Sequence, residues 1–462
     1  MKDRNHVFDN TILRAYDIRG IVGKSLHNVD AEIIGRVFAS LVCYENKNNI
    51  VVCMDGRLSS PKLSDSLVKG LKYSGANIID IGIRPTPMLY FSSHHFNAAG
   101  AIMITGSHNP PEYNGFKFMR GKDSFFGQDI INLGKSAAKG KWNASSGKFI
   151  IRSVMSDYIN ALLNSTMIED IDSNLKVVWD AGNGATGKVL EKLIKKLPNC
   201  NILLNSEIDG NFPSHHPDPS EPKNLEQLIN CVKKNNFDAG IAFDGDGDRV
   251  GLVTGKGRII WGDQILALLS KKVLKNCPGA KIITDIKASG ILTKEIEKQG
   301  GELFTWKTGH SLIKTKMKEI NSPLAGEMSG HIFFSDRYYG YDDGIYAALR
   351  IIENVENNSY LDDFLDSLPK VFNTPEIRIE CSEEDKFEIV NKLISILESN
   401  NIKVSKIDGL RVKYDNGWWL LRASNTQNAL VLRLEAETLE YLEFVKSEVR
   451  KYILPFGLSV NL

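Results

Sequence analysis

The chain has 462 residues, of which 42% are apolar and 24% are charged, and its formal net charge is +1. This length exceeds what one ordinary hydrophobic core contains, so it predicts three or four domains of usual size. The near-neutral charge excludes the broad basic surface of a nucleic-acid-binding protein, and no nucleic-acid partner is expected.

The six cysteines are scattered and form no C-x-x-C pair. This spacing argues against a zinc site or a disulfide framework and indicates a reducing compartment. Residues 1–6 (MKDRNH) are polar with no apolar segment behind them, and no apolar run reaches the length needed to span a membrane. We therefore expect a cytoplasmic protein with no membrane partner.

Three short β-branched runs end in an acidic residue and precede a turn of small residues. They are residues 51–55 (VVCMD), 177–180 (VVWD) and 282–285 (IITD). Such runs alternate with amphipathic stretches, which is typical of βαβ units around parallel sheets buried on both faces. The fold class is therefore α/β, with three related α/β domains and mainly parallel sheets. Their predicted bounds are residues 1–154, 155–256 and 257–369.

The last part of the chain has a different pattern. Residues 376–380 (EIRIE) alternate strictly between apolar and charged side chains, as in a strand with one face in water. This alternation predicts a C-terminal α+β domain over residues 370–462.

The first motif that indicates chemistry is residues 105–110 (TGSHNP), which follow the apolar run 101–104. Loops at the carboxyl ends of strands are where open α/β sheets bind ligands. The motif can also be a simple turn, and His108 is too close in sequence to Ser107 to serve as the base of an acyl-transfer triad. Ser107 is the candidate nucleophile, and Lys117 brings a cation back towards the loop.

The second motif, residues 244–249 (DGDGDR), carries three carboxylates separated by single glycines, those of Asp244, Asp246 and Asp248. Three such oxygen donors can converge on one cation, and magnesium or manganese suits them. Packing three like charges without a cation is unfavourable, which counts against a purely structural role. An EF-hand is excluded because its sixth and twelfth positions would be Arg249 and Gly255, where that loop needs Gly and Glu.

The third motif is residues 326–331 (GEMSGH), preceded by residues 307–310 (KTGH). Glu327 and Ser329 lie two residues apart on a glycine-flanked loop, so they can bond neighbouring hydroxyls of a sugar. Taken alone, this motif is better explained as a solvated acid and a hydrogen-bonded histidine, His331.

The fourth motif is residues 422–426 (RASNT). A guanidinium binds phosphate oxygens bidentately, so Arg422 with hydroxyl and amide donors beside it suits a phosphate dianion. A polar hairpin is an equal alternative for this turn, because Ser and Asn are common in any loop.

Residues 182–187 (GNGATG) favour a protein of another class, an NAD-dependent oxidoreductase. They match G-x-G-x-x-G, follow a predicted strand and have Glu207 about 20 residues on, as a dinucleotide site does. However, Asp180 and Ala181 stand before the first glycine, and this alternative leaves the aspartate and serine loops unexplained. Tight turns after a strand use glycine with or without a cofactor.

Residues 14–20 (RAYDIRG) and the four motifs, in this order along nearly the whole chain, resemble the α-D-phosphohexomutase family. The match is closest to its phosphomannomutase/phosphoglucomutase branch. The resemblance implies four domains arranged around a central cleft and a phosphoserine at Ser107. The Mg²⁺ ligands that it implies are Asp244, Asp246, Asp248 and phosphorylated Ser107. The residues that it implies for the sugar hydroxyls are Glu327 and Ser329, and those for the phosphate that is not transferred are Arg422, Ser424, Asn425 and Thr426.

The same resemblance implies a set of residues that line the cleft: Tyr16, Arg19, Lys117, Arg249, Lys287, His310 and His331. The general acid/base would come from Lys117, His331 or their neighbours, with the cations of Arg19 and Arg249 beside them. The chain departs from the family pattern at Gly106, where Ala is usual, and after residue 426, where Gln427 and Asn428 replace an acidic residue and proline. The second departure lies directly after the predicted phosphate-binding residues.

The implied activity is that of an intramolecular phosphotransferase, an isomerase that interconverts hexose 1-phosphate and hexose 6-phosphate. A hexose 1,6-bisphosphate would be both the intermediate and the primer. Residues 326–330 resemble the loops of enzymes acting on mannose and glucose phosphates, and phosphoglucosamine mutase is the alternative. A magnesium-dependent phosphatase and a non-enzymatic sugar-phosphate sensor are further alternatives. One cleft in one chain predicts a monomer whose only partner is the phosphosugar.

Overall fold

Four sheets organise the chain. The computed structural model describes residues 5–44, 47–382, 384–424 and 429–458. None of the helices in these segments combines the length and the apolar composition needed to cross a bilayer.

The first sheet has seven strands and is flanked by helices. Its elements are β1 (Ile18–Ile21), α1 (Asn28–Val42), β2 (Asn49–Met54), α2 (Ser60–Tyr73), β3 (Asn77–Ile83), α3 (Thr86–His95), β4 (Gly100–Ile104), β5 (Tyr113–Arg120), β6 (Asp123–Ser124), α4 (Gln128–Ala138) and β7 (Phe149–Ile151). The strand order is β1-β5-β4-β2-β3-β7, with β6 beside β5. Strands β4, β2, β3 and β7 are parallel, whereas β5 runs antiparallel to its neighbours. Every residue of the central strand β4 is buried, as both faces of a covered parallel strand should be.

The second and third sheets repeat this plan with fewer strands. The second region contains α5 (Met155–Asn164), β8 (Lys176–Asp180), α6 (Gly187–Leu193), β9 (Cys200–Leu204), α7 (Glu226–Lys234), β10 (Ala239–Phe243), β11 (Val250–Thr254) and β12 (Ile259–Ile260). The third contains α8 (Gly262–Asn276), β13 (Lys281–Asp285), α9 (Gly290–Lys298), β14 (Glu302–Trp306), α10 (His310–Ile320), β15 (Leu324–Gly326), β16 (Ile332–Phe334), α11 (Gly344–Asn354) and α12 (Tyr360–Ser367). The strand orders are β12-β11-β10-β8-β9 and β14-β13-β15-β16.

The fourth sheet is entirely antiparallel. Its region contains β17 (Phe372–Asn373), β18 (Ile377–Glu380), α13 (Asp385–Ser399), β19 (Val404–Ser405), β20 (Leu410–Tyr414), β21 (Gly417–Ala423), β22 (Ala429–Ala436) and α14 (Leu439–Ile453). The strand order is β17-β22-β21-β20-β19, with β18 also paired to β22. In β18 the charged residues are exposed and Ile379 is buried, which is the alternation that its sequence predicted.

The predicted fold class is confirmed, with one refinement. Each of the first three sheets has a parallel centre, but antiparallel strands extend it at one edge, as β11 and β12 do in the second sheet. The hairpin between these two strands turns at residues 255–258, so the second sheet continues to Ile260, beyond the boundary predicted at residue 256.

The apolar interior is shared by three of the four regions. One cluster of buried side chains runs through the first three, from Val51 to Leu361. The fourth region has a core of its own, from Ile379 to Ile453. A small cluster around Trp418 joins it to the third region. Polar contacts complete this junction.

Two glycines allow helices α1 and α2 to pack at very short range. A Cβ added at Gly70 would lie 1.9 Å from the backbone oxygen of Glu32, and one added at Gly35 would lie 2.4 Å from that of Leu67. Because backbone atoms cannot move aside as a side chain can, Gly70→Ala should lower the free energy of unfolding by about 1–3 kcal/mol. The midpoint of thermal unfolding of the purified protein measures this loss.

Gly134→Ala in α4 is the matched control. Its Cβ would meet only Cδ1 of Leu13, at 2.7 Å, and a methyl group at the end of a side chain can rotate away. Alanine also has the higher helix propensity, by about 1 kcal/mol. Equal unfolding midpoints for the two variants would contradict the tight helix contact.

Candidate active site

The serine loop connects β4 to β5. Ser107 is 2% exposed and has a φ of +51°, in the left-handed region that non-glycine residues rarely adopt. Its hydroxyl donates a hydrogen bond of 2.9 Å to Oδ2 of Asp244, which belongs to the second region of the chain. The candidate nucleophile therefore lies directly against the acidic loop.

The ring of His108 contacts the hydroxyl of Ser107, although adjacent residues in a sequence seldom place their side chains in this way. Its Nδ1 is 3.1 Å from the Ser107 hydroxyl oxygen. Burial, together with the nearby charges of Arg249 and Arg19, holds the pKa of His108 well below its usual value, so the ring is neutral. Among the residues that the structure describes, no carboxylate pairs with His108, and the orienting acid of a triad is missing.

The three aspartates of the acidic loop, between β10 and β11, have no exposed surface. Asp244, Asp246 and Asp248 each offer an oxygen, and these oxygens lie within 4.8 Å of one another. Oδ1 of Asp246 is buried with no hydrogen-bond partner in the described part of the chain. Burial and the two neighbouring carboxylates raise the pKa of Asp244 well above its usual value. A divalent cation would use the unpaired oxygen and relieve this repulsion, so the loop can hold one.

Lys117, on β5, is the cation that faces these carboxylates. Its Nζ lies 2.8 Å from Oδ2 of Asp246 and also contacts Asp248. Burial alone would lower the pKa of Lys117, but the aspartates outweigh burial and raise it above the usual value. Lys117 is therefore a fully charged donor at neutral pH.

His331 connects the acidic loop to the third region. Its Nε2 lies 3.2 Å from Asp248, and its Nδ1 lies 3.0 Å from Glu327 and 3.1 Å from the Ser329 hydroxyl. Burial opposes protonation, but Asp248 outweighs it and raises the pKa of His331 to about 9. The protonated ring donates to Asp248, and the 3.4 Å approach of Arg249 Nε is a contact between two cations.

Glu327 and His310 lie on adjacent loops of the third region. One carboxylate oxygen of Glu327 accepts a 2.6 Å hydrogen bond from the Gly309 amide. His310 begins α10, stacks on His331 with ring centroids 5.5 Å apart, and lies 3.1 Å from Asp342. Glu327 and Ser329 thus present oxygens at the cleft wall.

The fourth region contributes Arg422 at the end of β21. Its Nε donates to Asp408 at 3.0 Å, which orients the guanidinium. Ser424 follows Arg422 and is buried. Nζ of Lys287, from the third region, lies 3.0 Å from Glu376. Asn425 and Thr426, also predicted for this site, lie outside the described residues.

Two further predicted residues, Arg19 and Tyr16, come from the first region. Arg19 pairs with Asp17 at 2.6 Å and donates a hydrogen bond of 2.6 Å to the side chain of Asn109, on the serine loop. The Tyr16 hydroxyl donates to the Thr308 carbonyl at 2.5 Å and so joins the first region to the third.

All these loops open on one cleft of about 1040 Å³. The predicted residues on its wall are Tyr16, Arg19, Ser107, Lys117, Arg249, Lys287, His310, Glu327, Ser329, His331, Arg422 and Ser424. The three aspartates lie behind the wall, in contact with Ser107 and Lys117. Every predicted site residue that the structure describes is therefore at or next to this cleft.

Several residues that hold the site together were not predicted from the sequence. Asp342 accepts from Lys314 at 2.7 Å and orients His310, while Thr86 donates to Asp246 at 2.5 Å. These pairs join residues far apart in sequence. Arg57 was also missed, although it follows a strand-end acid that the sequence does reveal, Asp55.

The glycine-rich turn at residues 182–187 does not form a cofactor site. A Cβ at Gly184 would lie 2.8 Å from the carbonyl oxygen of Gly245, and the Ala185 amide donates to that same oxygen at 3.0 Å. The glycines allow the turn to pack against the acidic loop, and the chain itself fills the space that a pyrophosphate would need.

Four α/β and α+β regions around a cleft with a buried serine and an acidic loop define an α-D-phosphohexomutase. Family models match the chain in order, described as phosphoglucomutase/phosphomannomutase alpha/beta/alpha domains I, II and III and C-terminal domain. They cover residues 10–136, 156–257, 261–372 and 376–451. The chain belongs to the phosphoglucomutase/phosphomannomutase family.

Individual relatives match over almost their whole length. A phosphomannomutase/phosphoglucomutase of Pseudomonas putida is 43% identical over 96% of this chain and 96% of its own. A phosphoglucomutase of Neisseria meningitidis serogroup A is 41% identical, again over 96% of each chain. The crystal structure of a phosphoglucomutase/phosphomannomutase family protein from Burkholderia thailandensis superposes with a TM-score of 0.90 at 39% identity, covering 99% of this chain and 100% of that one.

Asp246→Asn should weaken binding of a divalent cation at least about tenfold, because loss of a direct ligand should cost no less than loss of an outer-shell partner. Titration with Mn²⁺, followed by electron paramagnetic resonance, measures the affinity.

Asp342→Asn is the control. Asp342 belongs to a second group of possible ligands with Asp248 and His331, but the charge of Lys314, 2.7 Å away, already neutralises it. This variant should bind Mn²⁺ as the unmodified protein does. Weaker binding in Asp342→Asn alone would place the ion in the second group.

Proposed function

We propose that this chain interconverts hexose 1-phosphate and hexose 6-phosphate, with mannose and glucose as the sugars, by way of phosphorylated Ser107. The observation that carries the proposal is the 2.9 Å hydrogen bond between the Ser107 hydroxyl and Asp244, at the point where the cleft meets the acidic loop. The relative at 43% identity is named a phosphomannomutase/phosphoglucomutase, and the one at 41% is named a phosphoglucomutase. The activity is that of an isomerase acting by phosphoryl transfer.

The reaction has two half-steps. In the first, the free hydroxyl of the hexose phosphate attacks the phosphorus in line, the bond to Ser107 Oγ breaks, and hexose 1,6-bisphosphate forms. The bisphosphate then reorients within the cleft, so that its other phosphate faces Ser107. In the second half-step, Ser107 Oγ attacks the other phosphate and the product leaves. Lys117 or His331, both protonated in the cleft, gives a proton to the leaving oxygen and regains one from the attacking hydroxyl.

Phosphoryl transfer depends on positioning and on neutralisation of charge. Arg19 is oriented by Asp17, and Arg249 lies partly buried beside the acidic loop on the cleft wall, so both guanidinium groups can approach the transferring phosphoryl group. Mg²⁺ bound by Asp244, Asp246 and Asp248 would add a double positive charge at the phosphoserine oxygens. Dephosphorylated protein should need a hexose 1,6-bisphosphate as primer, because Ser107 must carry a phosphate at the start.

Sugar recognition would use the third and fourth regions. Glu327 and Ser329 present acceptors for neighbouring hydroxyls, and the Gly309 amide holds the Glu327 carboxylate in place. Arg422, held by Asp408, would bind the phosphate that is not being transferred, together with Ser424, Asn425 and Thr426.

We propose that the protein acts in the cytoplasm as a monomer, with the phosphosugar as its only partner. A single chain supplies every residue that the mechanism uses. Analytical ultracentrifugation at working concentrations would reveal a dimer and overturn the monomer.

Ser107→Ala should abolish the formation of 6-phosphate, because among the described residues Ser107 has the only hydroxyl that both lines the cleft and contacts the acidic loop. The Thr86 hydroxyl also contacts this loop, but it is buried away from the cleft. The assay contains Mg²⁺, a trace of glucose 1,6-bisphosphate, and mannose, glucose or glucosamine 1-phosphate in parallel. Both the 6-phosphate and free phosphate are followed.

Ser92→Ala is the control for loss of a buried hydroxyl. Ser92 is fully buried and donates only to the carbonyl of Met88, within α3, so this variant should keep full activity. Normal turnover in Ser107→Ala would contradict the proposed role. Free phosphate without isomer would indicate a phosphatase, and a preference for glucosamine 1-phosphate would change the sugar.

A further inference from the structure

Arg57 lies behind the serine loop and uses every donor that it has. The residue is 1% exposed. Its Nε donates to Asp55 at 3.1 Å. Its two terminal nitrogens donate to four carbonyl oxygens, those of Ser107 (2.7 Å), Asn109 (2.6 Å), Pro110 (2.6 Å) and Tyr113 (3.0 Å). A guanidinium has five N–H groups, so all five have an acceptor.

These bonds fix the part of the loop that holds the nucleophile. Ser107 has a φ of +51°, a conformation that persists only where the surroundings impose it. Its carbonyl accepts a hydrogen bond from Arg57, while its hydroxyl donates one to Asp244. Gly106 provides the room, since a Cβ there would lie 2.5 Å from Cζ of Arg57.

Asp55 completes the support from the same side. Its Oδ2 accepts from Nε of Arg57, from the Thr105 hydroxyl at 2.8 Å and from the Gly106 amide at 3.2 Å. The Thr105 hydroxyl in turn accepts from the Ser107 amide at 2.7 Å. Both backbone groups of Ser107 are therefore held, directly or through Thr105, by the pair of Asp55 and Arg57.

A turn from the second region covers this pair. The ring of Phe212, whose own φ is +50°, lies 5.3 Å from the guanidinium of Arg57. Gly210 packs on the backbone of Gly56, and His216 donates to the carbonyl of His108 at 2.5 Å. The cover excludes water from the ion pair, which strengthens its hydrogen bonds.

We infer that Arg57 is the positioning residue for the phosphoryl-carrying serine, and that it holds Ser107 Oγ at the acidic loop without touching the substrate. The inference rests on the proposed role of Ser107. A displacement of about 1 Å in the reacting group can slow transfer about 100-fold. Loss of the hydrogen bonds from Arg57 to the serine loop should therefore lower the rate of phosphoryl transfer more than it weakens substrate binding.

Arg57→Lys is the principal test. Lysine keeps the charge but has three donors and no planar fork, so it cannot hold four carbonyls and Asp55 together. The measured quantities are the rate at which glucose 1,6-bisphosphate phosphorylates Ser107 in a single turnover, read by mass spectrometry of the intact protein, and KM for the hexose 1-phosphate. We expect the rate to fall about 100-fold while KM changes less than about threefold.

Arg350→Lys is the matched control for loss of a buried arginine. Arg350 is 1% exposed and binds Asp336 through two hydrogen bonds of 2.9 and 2.8 Å, away from the cleft. It should lower the melting temperature by a similar amount and leave the transfer rate of the folded protein unchanged. A rate in Arg57→Lys within threefold of that in Arg350→Lys would overturn the inference.

Asp55→Asn decides the question if Arg57→Lys does not fold, because it is isosteric and weakens the hold on Nε and on Thr105. It should slow phosphorylation of Ser107 about tenfold at unchanged KM, and an unchanged rate would overturn the inference. Ser107→Ala is run in parallel. If that variant still turns over, the proposed function fails; if it is inactive while the Arg57 and Asp55 variants transfer normally, only the positioning role fails.

Discussion

Three carboxylates buried side by side are favourable only when cations balance them, and much of the cleft follows from this requirement. Asp244, Asp246 and Asp248 come from the second region of the chain. Lys117 reaches them from the first region and His331 from the third. Because cations from two other regions neutralise the charges of the acidic loop, three regions of the chain meet at a single point. The candidate nucleophile, Ser107, lies at that point.

The sequence motifs predicted the chemistry of this loop because strand-end residues are readable from local pattern. Ser107 follows the buried run of β4 and Asp244 follows that of β10, and parallel strands present such ends to a ligand. The hydrogen bond between the two residues joins different sheets and depends on how those sheets pack. Strand β11 is buried at all five positions, so its antiparallel direction has no local signature either.

The supporting residues escaped prediction for a different reason. The acceptors of Arg57 are mostly backbone carbonyls, which any sequence supplies, so its role has no compositional mark. Asp342 pairs with Lys314 and His310, which are about thirty positions away, and Asp342 itself belongs to no motif. Residues that touch a ligand recur as short patterns, whereas residues that orient them are identified by their contacts.

The separate core of the fourth region has a thermodynamic consequence. Apart from the small apolar cluster around Trp418, its junction with the third region consists of polar contacts: Arg411 donates to the Ile286 carbonyl at 2.8 Å, and the Gly290 amide donates to Glu435 at 2.8 Å. Rotation of this region around the bound sugar would exchange such contacts for water and expose little apolar surface. Substrate binding that includes this rotation would carry only a small change in heat capacity, because that change follows apolar burial.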